Sequence, residues 1–133
     1  AQGSEIKTQV GGGIINQVVG TVDLYPTIME LCGVEMPHET DGRSLVSLMK
    51  DPETVAWENQ SFSYFRKGIS LRTEQYRLTK YFRKQEPKIE LYDHFTDPYE
   101  SKNIAADNKG IVDSLMVIWE TGNTGLYSRD NLD

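Results

Sequence analysis

A single cysteine, Cys32, stands among 133 residues, so the chain can form no internal disulfide. With only two histidines, His38 and His94, it also lacks any Cys/His spacing that would make a zinc site. Long apolar runs are missing too. The longest near the start, Ile14 to Leu24, is interrupted by Asn16, Gln17, Gly20 and Asp23, well short of the roughly 18 apolar residues that span a bilayer, and no membrane partner is expected. The chain opens Ala1-Gln2-Gly3-Ser4, without an initiator Met or the basic and apolar regions of a signal peptide, and reads as a piece of a longer protein. Positive charge is scarce overall. A net charge of −6 argues against nucleic acid as a default partner, because duplex binding draws on a broad basic face. The redox compartment stays open.

What is present is ordinary for a globular chain: 38% hydrophobic and 26% charged residues exclude collagen, coiled coil and wholesale disorder. The charge is uneven. From Ser61 to Lys88, eight Lys/Arg stand against two Glu inside an otherwise acidic chain.

Residues 1–13 end in Gly11-Gly12-Gly13 and read as a flexible segment. Ile14 to Val19, rich in β-branched residues, predicts a short strand. A helix should follow, capped by Thr21 or Asp23, with Pro26 in its first turn and Leu24, Ile28 and Leu31 on one face as far as Gly33. Val34 to Gly42 is a loop. Ser44 predicts the start of a short helix with Leu45, Leu48 and Met49 on one face, ended by Asp51-Pro52. The period then changes to alternation. Ser61 to Phe65, Ile69 to Thr73, Tyr76 to Thr79 and the region of Ile89 and Leu91 predict four strands, and connections this short favour antiparallel neighbours. Asp107 or Asn108 then caps a last helix, from about Lys109 to Thr121, whose Ile111, Leu115, Ile118 and Trp119 form an apolar stripe. The expected fold is α+β: a four-stranded antiparallel sheet packed with a C-terminal helix.

Five strings in series carry a resemblance. Val22-Asp23-Leu24-Tyr25-Pro26-Thr27-Ile28 with Leu31-Cys32-Gly33 is followed by Asp41-Gly42-Arg43-Ser44-Leu45. Then come Ser70-Leu71-Arg72-Thr73 with Tyr76-Arg77-Leu78-Thr79, Glu90-Leu91-Tyr92-Asp93, and Asp97-Pro98-Tyr99-Glu100 before Asn103-Ile104-Ala105. From about Val19 to Trp119 the chain resembles the C-terminal portion of sulfatases of the alkaline-phosphatase superfamily, in their iduronate-2-sulfatase-like branch. The resemblance implies that residues 14–55 are the end of a larger α/β domain and 56–133 a C-terminal antiparallel-sheet subdomain. It implies a parent that cleaves a sulfate ester, on a glycan by the branch's habit, using a formylglycine nucleophile and Ca²⁺. A missing N-terminal catalytic domain would then be the principal partner.

The catalytic parts of that chemistry are not in this sequence. The family's nucleophile arises from a Cys-x-(Pro or Ala)-x-Arg signature, whereas Cys32 is followed by Gly33-Val34-Glu35-Met36, with Met36 in the place of the arginine. Neither of the family's acidic Ca²⁺-binding pairs is present. Cys32 therefore reads as a small core or helix-surface residue, and no catalytic or metal-binding residue is assigned. Asp23, Asp41 and Asp97 stand in cap and turn contexts, with a hard-cation role as the alternative. His38 and His94 read as surface histidines. Arg72 and Arg77 should project from one sheet face, either paired with Glu90 or Glu74 or contacting a ligand. Arg66 and Lys67, beside a turn, are the candidate substrate-binding residues, since cationic groups at a pocket rim suit a sulfated glycan. Two rivals remain: a free-standing module that binds an anionic polymer, and the equivalent part of a phosphoesterase relative. The helix face of Leu24, Ile28 and Leu31, left uncovered, would promote self-association.

Overall fold

A computed structural model describes residues 14–53, 56–65 and 67–122. The flexible segment expected over 1–13 lies outside these residues. The chain separates into two units, Ala1–Asn59 and Gln60–Asp133.

In the first unit a single turn at Thr21–Asp23 leads into helix α1, Leu24–Leu31. Pro26 sits in the first turn, where its missing N–H breaks no helical bond. The helix stops because Gly33 takes a left-handed backbone (φ 66°) that a side chain would resist. Its N–H reaches the Glu30 carbonyl (3.0 Å) and that of Val34 reaches Met29 (2.9 Å), the double bond that closes a helix C-terminus.

The strand expected over Ile14 to Val19 does not form. A strand needs a neighbour to take its backbone groups, and here side chains take them instead. The Val18 N–H donates to Asn59 Oδ1 (3.0 Å), and the Val18 carbonyl accepts from Trp57 Nε1 (2.9 Å). The second helix, α2, is also corrected. It spans Val46–Lys50, two residues later than Ser44 suggested; of the expected face Leu48 is buried while Met49 is exposed, and Val46 is buried as well.

The second unit is an antiparallel meander of four strands in the order β1-β2-β3-β4: Gln60–Phe65, Gly68–Thr73, Tyr76–Tyr81 and Ile89–Asp93. Helix α3, Lys109–Gly122, follows. Its start is set by Asn108, whose carbonyl accepts from Ile111 and Val112 and whose amide donates to the Ile104 carbonyl (2.9 Å). Alternation sorts the strand side chains onto two faces. On one face the register lines up Phe62, Leu71, Leu78 and Leu91 in a single row, with Tyr64, Ile69 and Ile89 in the next. Val112, Leu115 and Trp119 of α3 close over these rows to make the core. Ile69, Leu71, Leu78 and Leu91 are wholly buried, and each such side chain is worth about 1.5–3 kcal/mol. Trp119, only 4% exposed, packs against Phe82, lies under the Lys80 ammonium (4.7 Å) and donates Nε1 to the Ile69 carbonyl (3.3 Å). Among the described residues no helix is long and apolar enough to cross a membrane.

Candidate functional site

The other face of the sheet is polar, and the same register explains what gathers there. Ser63, Ser70, Thr79 and Glu90 stand in one row across the four strands, and Ser61, Arg72, Arg77 and Tyr92 in the row beside it. In the row beyond, Phe65 and Tyr81 flank Gly68, and their rings meet edge to face 5.9 Å apart. A Cβ at Gly68 would come within 2.7 Å of the Phe65 ring, so a side chain there would have to displace that ring.

Apart from Ser61 and Gly68, these residues line a cavity of about 290 Å³ together with Glu100, which arrives from the turn after β4. Glu100 holds a left-handed backbone (φ 55°), a conformation that costs a residue with a side chain about 1–3 kcal/mol. What it gains is visible. Its Oε1 accepts from Arg77 Nε (3.0 Å) and lies 2.6 Å from His94 Nε2. Two expectations are thereby corrected. The acid paired with Arg77 is Glu100, not Glu74 or Glu90, and His94 is largely buried against that carboxylate, not a surface histidine. Sequence spacing missed both because the contact depends on one left-handed residue in a turn.

Each remaining polar group has its own arrangement. Tyr81 donates to Glu90 Oε2 (2.8 Å), and burial, followed by that bond, pushes its phenol up to about 12. Tyr92 is raised as well, by burial and then by the Glu90 charge. Thr79 Oγ1 donates to Ser70 Oγ (3.1 Å), both residues being buried. Arg72 differs. Its Nη1 is buried with no hydrogen-bond partner among the described residues, and its pKa is lowered by burial, then by Arg77, with Glu100 acting in the opposite sense.

Of the candidates singled out from sequence, Lys67 is exposed at the β1–β2 turn, does not line this cavity, and accepts the Phe82 N–H at its carbonyl (2.7 Å). Arg66 lies outside the described residues. Cys32 is exposed at the end of α1. His38 is exposed and stacks on Tyr25 (6.1 Å between ring centres). Among the described residues no three His, Cys, Asp or Glu side chains are grouped to hold a metal ion.

The recurring strings acquire physical roles. Asp23 is buried, with Oδ2 accepting the Gly20 N–H (2.7 Å) and Oδ1 the Arg43 N–H (2.8 Å). Thr27 donates to the Asp23 carbonyl and accepts the Leu45 N–H (2.9 Å). Gly42 presses so close to the Val22 carbonyl that a Cβ there would overlap it. The first two strings are thus two halves of one joint. Asp97 accepts the Lys102 N–H (2.9 Å) and the Ser101 hydroxyl (2.8 Å), and backbone bonds from Ser101 and Lys102 hold its carboxyl below the usual range. Asn103 Oδ1 accepts the N–H groups of Leu91 and Ala105 (3.0 Å each), so its side chain covers the open edge of β4. Asp23 and Asp97 serve as a cap and a turn former.

Comparison with known proteins decides the lineage. Residues 5–117 match the family model described as N-sulphoglucosamine sulphohydrolase, C-terminal. The chain belongs to this sulfatase C-terminal family. An ulvan-active sulfatase of Formosa agariphila is 28% identical over 142 residues, covering 79% of this chain and 28% of that protein. A delta 4,5-hexuronate-2-O-sulfatase of Bacteroides thetaiotaomicron is 33% identical over 97 residues, covering 67% of this chain and 20% of that protein. In three dimensions, a protein solved with its substrate D-glucosamine-2-N,6-O-disulfate superposes with a TM-score of 0.63 at 24% identity, over 74% of this chain and 22% of that one, and shares the fold. This sulfatase C-terminal domain therefore spans only between a fifth and a third of the length of these relatives.

Proposed function

We propose that the chain is the non-catalytic C-terminal part of a sulfuric ester hydrolase, and that its parent acts on a sulfated glycan. The family match over residues 5–117 carries this reading. The substrates that name these relatives, an ulvan, a hexuronate 2-O-sulfate and a disulfated glucosamine, support the glycan class. The hexuronate-2-O-sulfatase also supports the iduronate-2-sulfatase-like branch. In the parent, a formylglycine and Ca²⁺ would supply the nucleophile and the charge that stabilises the sulfate oxygens, both held by residues N-terminal to those seen here.

The role of this chain's own residues is structural support and specificity. The joint of Asp23, Thr27 and Gly42 fixes the α1 region, and α1 then presents Leu24 (52% exposed), Ile28 (57%) and Leu31 (43%) as an apolar face for the catalytic domain to cover. Arg66 and Lys67, adjacent cations in the sequence, would meet sulfate groups on the glycan.

An aryl sulfate assay with added Ca²⁺ tests the reading. The chain should show no turnover. Turnover that persists through purification and disappears in Cys32→Ala would overturn it.

A further inference from the structure

The cavity on the polar sheet face has a feature that support of the fold does not explain. Like charges placed directly opposite on paired strands destabilise a sheet, yet Arg72 and Arg77 are cross-strand partners. Only one of them is answered. Arg77 has the Glu100 carboxylate, which His94 shares, and Glu90 is occupied by the Tyr81 phenol. Arg72 makes no ion pair among the described residues, and its buried Nη1 has no acceptor. Native proteins seldom leave a buried donor without a partner, and a guanidinium nitrogen is among the costliest to strand. The surroundings are suited to a small anion: hydroxyls of Ser63, Ser70 and Thr79 line the same cavity, and its volume of about 290 Å³ holds one acidic group with part of a sugar ring, not a chain segment.

We propose that this cavity binds the oxyanion group of an acidic saccharide, a carboxylate or a sulfate monoester, with Arg72 as the principal donor and the Ser70 and Thr79 hydroxyls beside it. The saccharide part of this statement rests on the glycan-sulfatase reading; the oxyanion part rests on the cavity alone. The lining carries two guanidinium groups and two carboxylates, so a bound oxyanion would be held by the local donors of Arg72 and the hydroxyls, not by a net positive charge. The lowered pKa of Arg72 agrees, because burial and the facing Arg77 both disfavour its charge and an anion would relieve both.

Titration of the chain with glucuronate, glucose 6-sulfate and neutral glucose, followed by amide and arginine side-chain NMR, tests the proposal. At least one charged sugar should produce saturable shifts at Ser70, Arg72 and Thr79 while glucose produces none, and a response to only one of the two names the group. Arg72→Lys, which loses the forked donor, should weaken binding about tenfold. Thr79→Val, close in shape, should weaken it by a smaller factor, whereas Lys88→Gln, outside the cavity, should leave it unchanged. The absence of saturable shifts with either anion in the folded wild type would overturn the proposal. So would unchanged affinity in a folded Arg72→Lys or an equal loss in Lys88→Gln. The aryl sulfate assay reads the sulfatase assignment separately, so either conclusion can fail alone.

Discussion

The two units of the chain are held by different forces. In Gln60–Asp133, apolar side chains from three of the strands and α3 close on one another, and seven of them form a core whose members are at most 9% exposed. Among the described residues of Ala1–Asn59 the buried hydrophobic side chains are Val46 and Leu48, while hydrogen bonds with the side chains of Asp23, Thr27, Asn59 and Trp57 fix the backbone. Hydrogen bonds yield about 0.5–1.5 kcal/mol each and act only over contact distance, whereas burial scales with area. The second unit therefore has the means to be stable by itself. In the first, Leu24, Ile28 and Leu31 leave an apolar face exposed, the kind of patch that marks interaction surfaces.

The largest test of this contrast is Trp119→Ala. It should cost about 3–5 kcal/mol, the range for deleting a buried aromatic, and chemical denaturation monitored by circular dichroism would measure it. A negligible change would mean that α3 does not seal the core. Asp23→Ala comes next. It strands the N–H groups of Gly20 and Arg43, at about 1–3 kcal/mol for each one left unpaired, and hydrogen exchange should quicken around both residues while the sheet amides keep their protection. Loss of sheet protection would show that the units do not unfold separately. The smallest effect on folding belongs to Ile28→Glu, because an exposed position changes stability by about 0.5 kcal/mol or less. Its effect should appear elsewhere. Sedimentation across concentrations should show the wild type self-associating through the α1 face and the variant shifted toward monomer. A strictly monomeric wild type would remove the idea that this face is adhesive.

The same contrast governs how much of the structure the sequence disclosed. The four strands and α3 were legible to within a residue or two at most ends because a closed core imprints its period directly: Phe62 and Tyr64, Ile69 and Leu71, Tyr76 and Leu78 alternate, while Leu115 and Trp119 recur one turn apart. In the first unit the period is misleading. Ile14 to Val19 has the composition of a strand but no neighbour to pair with among the described residues, and Met49 has the spacing of a core residue yet is exposed. Alternation did place Arg72 and Arg77 on one face. It could not reveal that they stand directly opposite each other, which depends on register, or that Glu100 is the carboxylate of Arg77, which depends on a left-handed residue. The candidate site was thus half visible: its arginines could be read, and its acid, its histidine and its cavity could not.

The hydrogen bond from Trp119 to the Ile69 carbonyl joins residues fifty positions apart, and it bears on the order of events during synthesis. Each strand pairs with the one made just before it, so the meander can zip up as it leaves the ribosome, with little loop to close at each step. Its apolar rows then stand uncovered until α3 emerges as the last of these elements. Ribosome stalling or premature termination before Lys109 would leave a sheet correctly paired along its backbone and open on its greasy side. Such a nascent chain is one that chaperones retain and proteases find first.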